Sequence, residues 1–235
     1  QSLNQPRLFQ SILSLYPEEQ RLGAITEKDK WGKSILMYAA SIPECLKILL
    51  ELLPENQRLN AIKERDKDGS SILRYAATNP ESLKIILDIY PPEQRYEAIK
   101  EKDNYEKSTI MYAASNPECL KMILDIYPEN QALEAFSEKD RYNTSTLMYA
   151  ASTPECLKMI LDIYPQNQHP LLVEKKDKYG KSTLIYAAEN PESLKMILNI
   201  YPKDQLLKAV TEKDDYGKLP LMYAANVPES LRTML

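Results

Sequence analysis

The chain has 235 residues, 43% of them apolar and 27% charged, which supplies enough apolar side chains for a core and argues against a disordered polymer. Thirty basic against 34 acidic side chains leave a net charge of -4, a poor match for a protein whose main work is to neutralise phosphates. No stretch approaches the roughly 18–20 uninterrupted apolar residues of a membrane span, and no basic-then-apolar leader follows Gln1.

The first element opens at Asn4-Gln5-Pro6, where Phe9, Ile12, Leu13 and Tyr16 fall at i, i+3, i+4 and i+7, the stripe of a helix buried on one face. Asp29 to Gly32 then reads as a turn, and from there the pattern recurs at a fixed interval. Tyr38, Tyr75, Tyr112, Tyr149, Tyr186 and Tyr223 are spaced by 37, as are Asp29, Asp66, Asp103, Asp140, Asp177 and Asp214. Six copies of 37 residues account for 222 positions, with no composition shift between them. Self-similarity at this period predicts a single array over 1–235 in which each unit buries its apolar face against its neighbours.

Residues 66–103 show one repeat in full. Asp66-Lys67-Asp68-Gly69 is a turn, with Gly69 supplying a positive φ. Ser71 is placed to cap a short first helix, Ile72 to about Thr78. Asn79 caps the second helix, Pro80 takes its first position, and Glu81 complements the positive end of its dipole. Leu83, Ile86, Leu87 and Tyr90 form its stripe, which Ile85 and Ile89 widen. Pro91 ends it and opens a third helical segment through about Ile99. Of the 16 prolines, seven form one column, Pro6, Pro43, Pro80, Pro117, Pro154, Pro191 and Pro228, and six another, Pro17, Pro54, Pro91, Pro128, Pro165 and Pro202. Both read as helix starts, where the missing N–H has no partner to lose. Cys45, Cys119 and Cys156 share one column with Ser82, Ser193 and Ser230, a small-residue slot and not a disulfide framework. Free thiols fit a reducing compartment, so an intracellular, cytoplasmic protein is expected.

Asp-x-x-Gly-x-Ser-x-Leu-x-Tyr-Ala-Ala, as in Asp177 to Ala188, resembles the turn and first helix of an ankyrin repeat. The likeness runs through all six registers and implies an all-α, ankyrin-like solenoid of helix-turn-helix repeats with β-turn tips and an extra short helical segment after the second helix. This chain departs from that family in three ways. Ser-Ile-Leu-Met at Ser34 to Met37 replaces Thr-Pro-Leu-His, although Pro220-Leu221 keeps the Pro-Leu pair. Asn-Pro-Glu at Asn116 to Glu118 replaces Gly-His between the helices. The unit is also about four residues longer than the usual 33. The style of Leu52 to Leu59 is similar to arrays in effector proteins that intracellular bacteria deliver into host cells, which would place the chain in host cytoplasm. Neither end carries a more polar capping repeat, so a fragment of a longer protein is expected.

No motif of catalysis survives inspection. Gly180-Lys181-Ser182-Thr183 has Lys175 where a phosphate-binding loop needs its first glycine. Asp66-Lys67-Asp68-Gly69 has Tyr75 where a calcium loop needs its last glutamate. Asn143-Thr144-Ser145 is a turn in which Asn143 takes the glycine's place. The single histidine, His169, stands in an irregular third segment and is read as a surface residue, and His and Cys never cluster as metal ligands do. No enzyme activity, cofactor or metal is expected.

The surfaces remain. Ankyrin-like arrays bind partners on the turn tips and the inner face of the first helix. The tips read Trp31, Asp68, Tyr105, Tyr142, Tyr179 and Tyr216, and exposed aromatics are the usual anchors of interfaces. The alternative is that each ring packs on the neighbouring turn. Two positions on lies a mostly basic row of Lys33, Ser70, Lys107, Thr144, Lys181 and Lys218. The column Met37, Arg74, Met111, Met148, Ile185, Met222 has one charged member. Asp68 and Arg74 therefore mark the second repeat as a centre of specificity. The residues expected to meet a partner are Trp31, Lys33, Asp68, Arg74, Tyr105, Lys107, Tyr142, Tyr179, Lys181, Tyr216 and Lys218. That partner is another protein with an acidic or mixed surface, held by a monomer, with no nucleic acid and no membrane. A substrate-recruiting module of a larger enzyme and a nucleic-acid-binding array are the rival readings. On the opposite face, columns headed by Glu44 and Lys47 are expected to pair at i,i+3 along each second helix.

Overall fold

A computed structural model of the protein describes residues 11, 12, 14–128 and 131–235. Helices dominate, and among the described residues no strand forms beyond four isolated β-bridges beside the turns. The chain divides into two compact units, Gln1–Asn104 and Tyr105–Leu235. The first holds α1 (Glu18–Thr26), α2 (Ile35–Ala39), α3 (Pro43–Leu52), α4 (Glu55–Lys63), α5 (Ile72–Ala76), α6 (Pro80–Ile89) and α7 (Pro92–Lys100). The second holds α8 (Thr109–Ala113), α9 (Pro117–Leu124), α10 (Ala132–Ser137), α11 (Thr146–Ala150) and α12 (Pro154–Ile163), a 3-10 turn at Gln166–Gln168, then α13 (His169–Val173), α14 (Thr183–Ala187), α15 (Pro191–Ile200), α16 (Lys203–Thr211), α17 (Pro220–Ala224) and α18 (Pro228–Met234).

Each 37-residue copy thus begins with a five-residue helix, followed by a longer one that starts on proline. Proline explains both boundaries. It forces the preceding residue out of the α region, and Asn79 is extended at φ -127° and ψ 113°. The first helix must therefore unwind before it, so α5 stops at Ala76 instead of Thr78. Asn79, Asn116 and Asn190 then cap their helices, each side chain accepting the backbone N–H of Ser82, Cys119 or Ser193 at 3.0 Å. The serine column behaves differently. Ser71 occupies the N-cap position of α5 but its hydroxyl makes no capping bond, whereas Ser145 accepts from Met148 N–H at 3.3 Å. The second proline column sits one residue earlier than a first helical position. Pro17, Pro54, Pro91 and Pro202 are N-cap residues, and each carbonyl accepts the N–H of a glutamine three residues on at 2.8–2.9 Å.

The stripes form the cores. In the first unit Leu83 and Ile86 are fully buried beside Leu46, Leu49, Ile62 and Ile99. In the second, Leu120, Ile123, Leu157, Ile160, Leu194 and Ile197 do the same. Ala76-Ala77 and its counterparts at 113–114, 150–151 and 187–188 have no exposure, since small side chains let neighbouring helices close up. Of the first stripe, Ile12 and Tyr16 are exposed, while Phe9 and Leu13 lie outside the described residues. Cys45, Cys119 and Cys156 are free and buried, and the hydroxyls of Ser82, Ser193 and Ser230 are buried there without a partner. On the charged face, among the described residues, only Arg232 and Glu229 pair at i,i+3, at 3.4 Å. Lys47 instead reaches Glu81 of the next copy at 2.5 Å, because the adjacent helix offers a closer carboxylate than its own.

Candidate interaction surface

The recurring aspartate builds each turn. Asp177 Oδ1 accepts the backbone N–H of Tyr179 and of Lys181, both at 2.8 Å. Asp29, Asp66, Asp140 and Asp214 accept the corresponding pair at 2.8–3.0 Å. The second oxygen is equally committed. Oδ2 accepts the hydroxyl of the tyrosine nine residues on, in Tyr38, Tyr75, Tyr149, Tyr186 and Tyr223, at 2.5–2.7 Å. The Tyr38 hydroxyl and the turn N–H groups of Lys33 and Trp31 hold the Asp29 carboxyl below its ordinary value. At Asp214 burial works to raise the carboxyl, but the bonds from Tyr223, Lys218 and Tyr216 outweigh it and the net shift is downward. Burial, then the Asp177 carboxylate, pushes the Tyr186 hydroxyl up.

Successive turns are laced together at their tips. The Trp31 carbonyl accepts Lys67 N–H at 2.8 Å and the Asp68 carbonyl accepts Asn104 N–H at 2.8 Å. In the second unit the Tyr105, Tyr142 and Tyr179 carbonyls accept Arg141, Lys178 and Asp215 N–H at 2.8, 2.7 and 3.0 Å. At two turns this closeness favours glycine, while Glu106 holds the same place in its own turn at φ 62°. Gly69 and Gly180 have φ of 74° and 73°, and a Cβ on either would stand 2.7 Å from the Asn104 or Asp215 side-chain oxygen. Asn143 takes the left-handed region at φ 65°, as its place in the turn predicts.

The tip residues differ in freedom. Trp31 is 56% exposed, with the Lys30 ammonium 4.2 Å from its ring. Asp68 is exposed, and Tyr105, Tyr142 and Tyr179 are half-buried. Tyr142 stacks on Tyr179 with ring centres 6.1 Å apart, and Tyr179 on Tyr216 at 6.0 Å, leaving Tyr216 63% exposed at the end of the stack. Packing between turns and presentation to solvent are therefore both realised, by different members of one row.

The basic row is bound into the surface. Lys107 lies 4.3 Å from the Tyr112 ring and 4.1 Å from the Tyr149 ring, so one ammonium serves two copies. Lys33 stands likewise between Tyr38 and Tyr75, and Lys181 between Tyr216 and Tyr223, which Lys218 also approaches at 5.5 Å. The alternating Ser70 and Thr144 are buried. Where Ser70 replaces a lysine, Arg74 supplies the cation, bonding Ser70 Oγ at 2.5 Å with its guanidinium 5.3 Å from the Tyr75 ring. The two exceptional residues of the second repeat are thus unlike: Arg74 completes the surface from within, while Asp68 faces solvent.

His169 is half-buried, with Nε2 2.9 Å from the Leu161 carbonyl and 3.0 Å from that of Tyr164. A nitrogen facing two carbonyl oxygens is the one that carries the proton. Arg21, Arg58 and Arg95 hold the same column and donate Nε–H to the carbonyls of Tyr16, Leu53 and Tyr90 at 3.1–3.2 Å. The signal for this capping role was present in the sequence, as four basic side chains at one register. Among the described residues no group of His, Cys, Asp and Glu could hold a metal ion, and no helix is long and apolar enough to cross a membrane. Comparison with protein families and with curated proteins finds no match to this chain.

Proposed function

We propose that the chain is a non-catalytic interaction scaffold of ankyrin-like repeats that holds a partner protein along its turn tips and first helices. The observation that carries this reading is the lacing of the turns. Tip-to-tip hydrogen bonds and the Asp–Tyr bonds fix a row of aromatic side chains, yet leave Trp31 and Tyr216 mostly exposed. Rigid aromatics held in place lose little entropy on binding. In the first unit the Lys33 ammonium lies near the Tyr38 and Tyr75 rings; in the second the Lys181 ammonium lies 5.9 Å from the Tyr216 ring, Lys218 stands near Tyr223, and Met222 is 54% exposed. Apolar and cationic groups of this kind favour a partner with acidic residues around an apolar centre. The role in an effector protein acting inside a host cell rests on the resemblance alone.

The test is capture from lysate with the native chain and with a Trp31→Ala/Tyr216→Ala variant, both shown to be folded by circular dichroism. Partners held by the native chain and lost by the variant support the reading. Identical partners on both would dispose of it.

A further inference from the structure

One constellation of side chains occurs in both units, three repeats apart, and the copies differ in charge at two places. In the first unit Lys63, the last residue of α4, donates to Gln94 Oε1 at 2.8 Å, and its ammonium lies 6.0 Å from the centre of the Tyr90 ring. Tyr90 is 3% exposed, and Arg65 pairs with Glu101 beside it. In the second unit the matching residues are Glu174, Gln205, Tyr201, Lys176 and Glu212. Much is preserved. Lys176 pairs with Glu212 at 2.8 Å, and Tyr201 is 8% exposed with its hydroxyl committed to the Val173 carbonyl at 3.0 Å.

The exchange is at Glu174, which stands where Lys63 stands, and at Lys208, which stands where Glu97 stands. Glu174 carries no ammonium to lay over Tyr201, and at this place a cleft of 280 Å³ opens between the end of α13 and α16. Three acceptors line it without a side-chain partner among the described residues: the Glu174 carboxylate, the Gln205 carbonyl oxygen and the Ser182 hydroxyl. Ser182 is 8% exposed and caps nothing, although it is the N-cap residue of α14.

We infer that this cleft binds a primary alkylammonium group, seated over Tyr201 where the first unit seats the ammonium of its own Lys63. An ammonium has three N–H donors and no acceptor, which matches three free acceptors. The aromatic face adds a cation–π attraction that strengthens as water leaves. Lys208 opposes a bound cation, so it limits affinity. The site lies apart from the tip row and does not depend on the function proposed above. The same chemistry is offered by a lysine side chain on a partner protein and by a free aliphatic amine.

Titration of the full, isotope-labelled chain followed by amide NMR tests this. The probes are a short peptide with one lysine, the same peptide with that lysine Nε-acetylated, and 1-butylamine. Saturable shifts centred on Ser182 and Gln205, produced by the lysine peptide and not by its acetylated form, are expected. Tighter binding of the peptide than of butylamine assigns the site to a protein-borne lysine; equal binding assigns it to free amines. Glu174→Lys installs the residue that the first unit carries there and should weaken binding at least about tenfold, the worth of one charge contact. Glu174→Gln, which keeps the shape, should weaken it too, and Lys208→Gln should tighten it. Shifts of equal size with the acetylated peptide, or undiminished affinity in both Glu174 variants, overturn the inference. So does weaker binding of the lysine peptide to Lys208→Gln, since Lys208 would then not oppose the bound group.

Discussion

Tyr186 donates its hydroxyl to Asp177 Oδ2 at 2.7 Å across nine residues, while the other oxygen of the same carboxylate closes the turn that precedes the helix. The pair ties the first helix to its own turn through one buried acceptor. Charged acceptors make the stronger hydrogen bonds, and stranding buried donors costs more than losing the bond itself. Tyr186→Phe should therefore lower stability by about 1.5 kcal/mol and Asp177→Ala by about 3 kcal/mol. Urea unfolding measures both. Equal losses from the two variants would show that the turn bonds contribute nothing beyond the hydroxyl.

Alkaline pH should unfold the protein from its tyrosines. Burial pushes Tyr90 and Tyr164 up to about 12, and burial together with Asp214 does the same for Tyr223. Their ordinary value is 10.0. A group whose value is raised on folding stabilises fully below its unfolded value and loses that contribution as pH rises through the folded one. Stability should hold to pH 10 and fall between 10 and 12. The tyrosinate signals of Tyr90, Tyr164 and Tyr223, resolved by NMR of ring-labelled tyrosine, should appear together with the loss of helical dichroism. Ionisation of these three near pH 10 with the helices intact would contradict the burial of their hydroxyls.

The stacked and free members of the tip row should separate in mutagenesis. Tyr179 lies between Tyr142 and Tyr216, so Tyr179→Ala removes two aromatic contacts and should cost about 1–2 kcal/mol of stability. Trp31→Ala should leave stability within about 0.5 kcal/mol, since 56% of that side chain is already in water. Chemical denaturation decides, and the reverse order would assign the structural role to Trp31.

The thiols should be inert until the protein unfolds. Burial pushes Cys119 and Cys156 up to about 12 and raises Cys45 as well. Thiolate is the reactive form. A thiol reagent at pH 8 should label none of the three cysteines in the native chain and all of them in urea. In the same column Ser193→Ala removes a buried hydroxyl without a partner and should raise stability by about 1 kcal/mol.

Period and proline placement made the helices legible. A proline dictates the backbone of its neighbour, so Asn79 and Pro80 announce a boundary that no distant contact can move. Contacts between copies were harder to read. The Asp and Tyr columns are invariant in all six copies, but nothing in either says that one bonds the other, because the join is made by a turn and a five-residue helix. Spacing predicts an i,i+3 partner for Lys47 within its own helix, yet Lys47 reaches Glu81 instead, since sequence spacing measures distance along a helix and not between helices. The serine at the start of five of the six first helices has the right residue type for a cap, but at Ser34 and Ser108 its hydroxyl is buried with no partner. The lysine row was legible as charge, but not as a set of ammonium groups parked over tyrosine rings.

The lacing of the turns also bears on how such a chain can change length. Within the second unit three tip carbonyls meet the N–H that stands 36 residues further along: Tyr105 with Arg141, Tyr142 with Lys178, Tyr179 with Asp215. Excising 141–177, one whole period, delivers Lys178 to the Tyr105 carbonyl and leaves the Tyr179 rung to Asp215 intact. Excising 141–176 would instead bring Asp177 opposite Tyr105 and break the rung that spans the cut. The gene encoding such a protein can thus gain or shed whole modules freely, while a one-codon slip is punished at the joint that spans it.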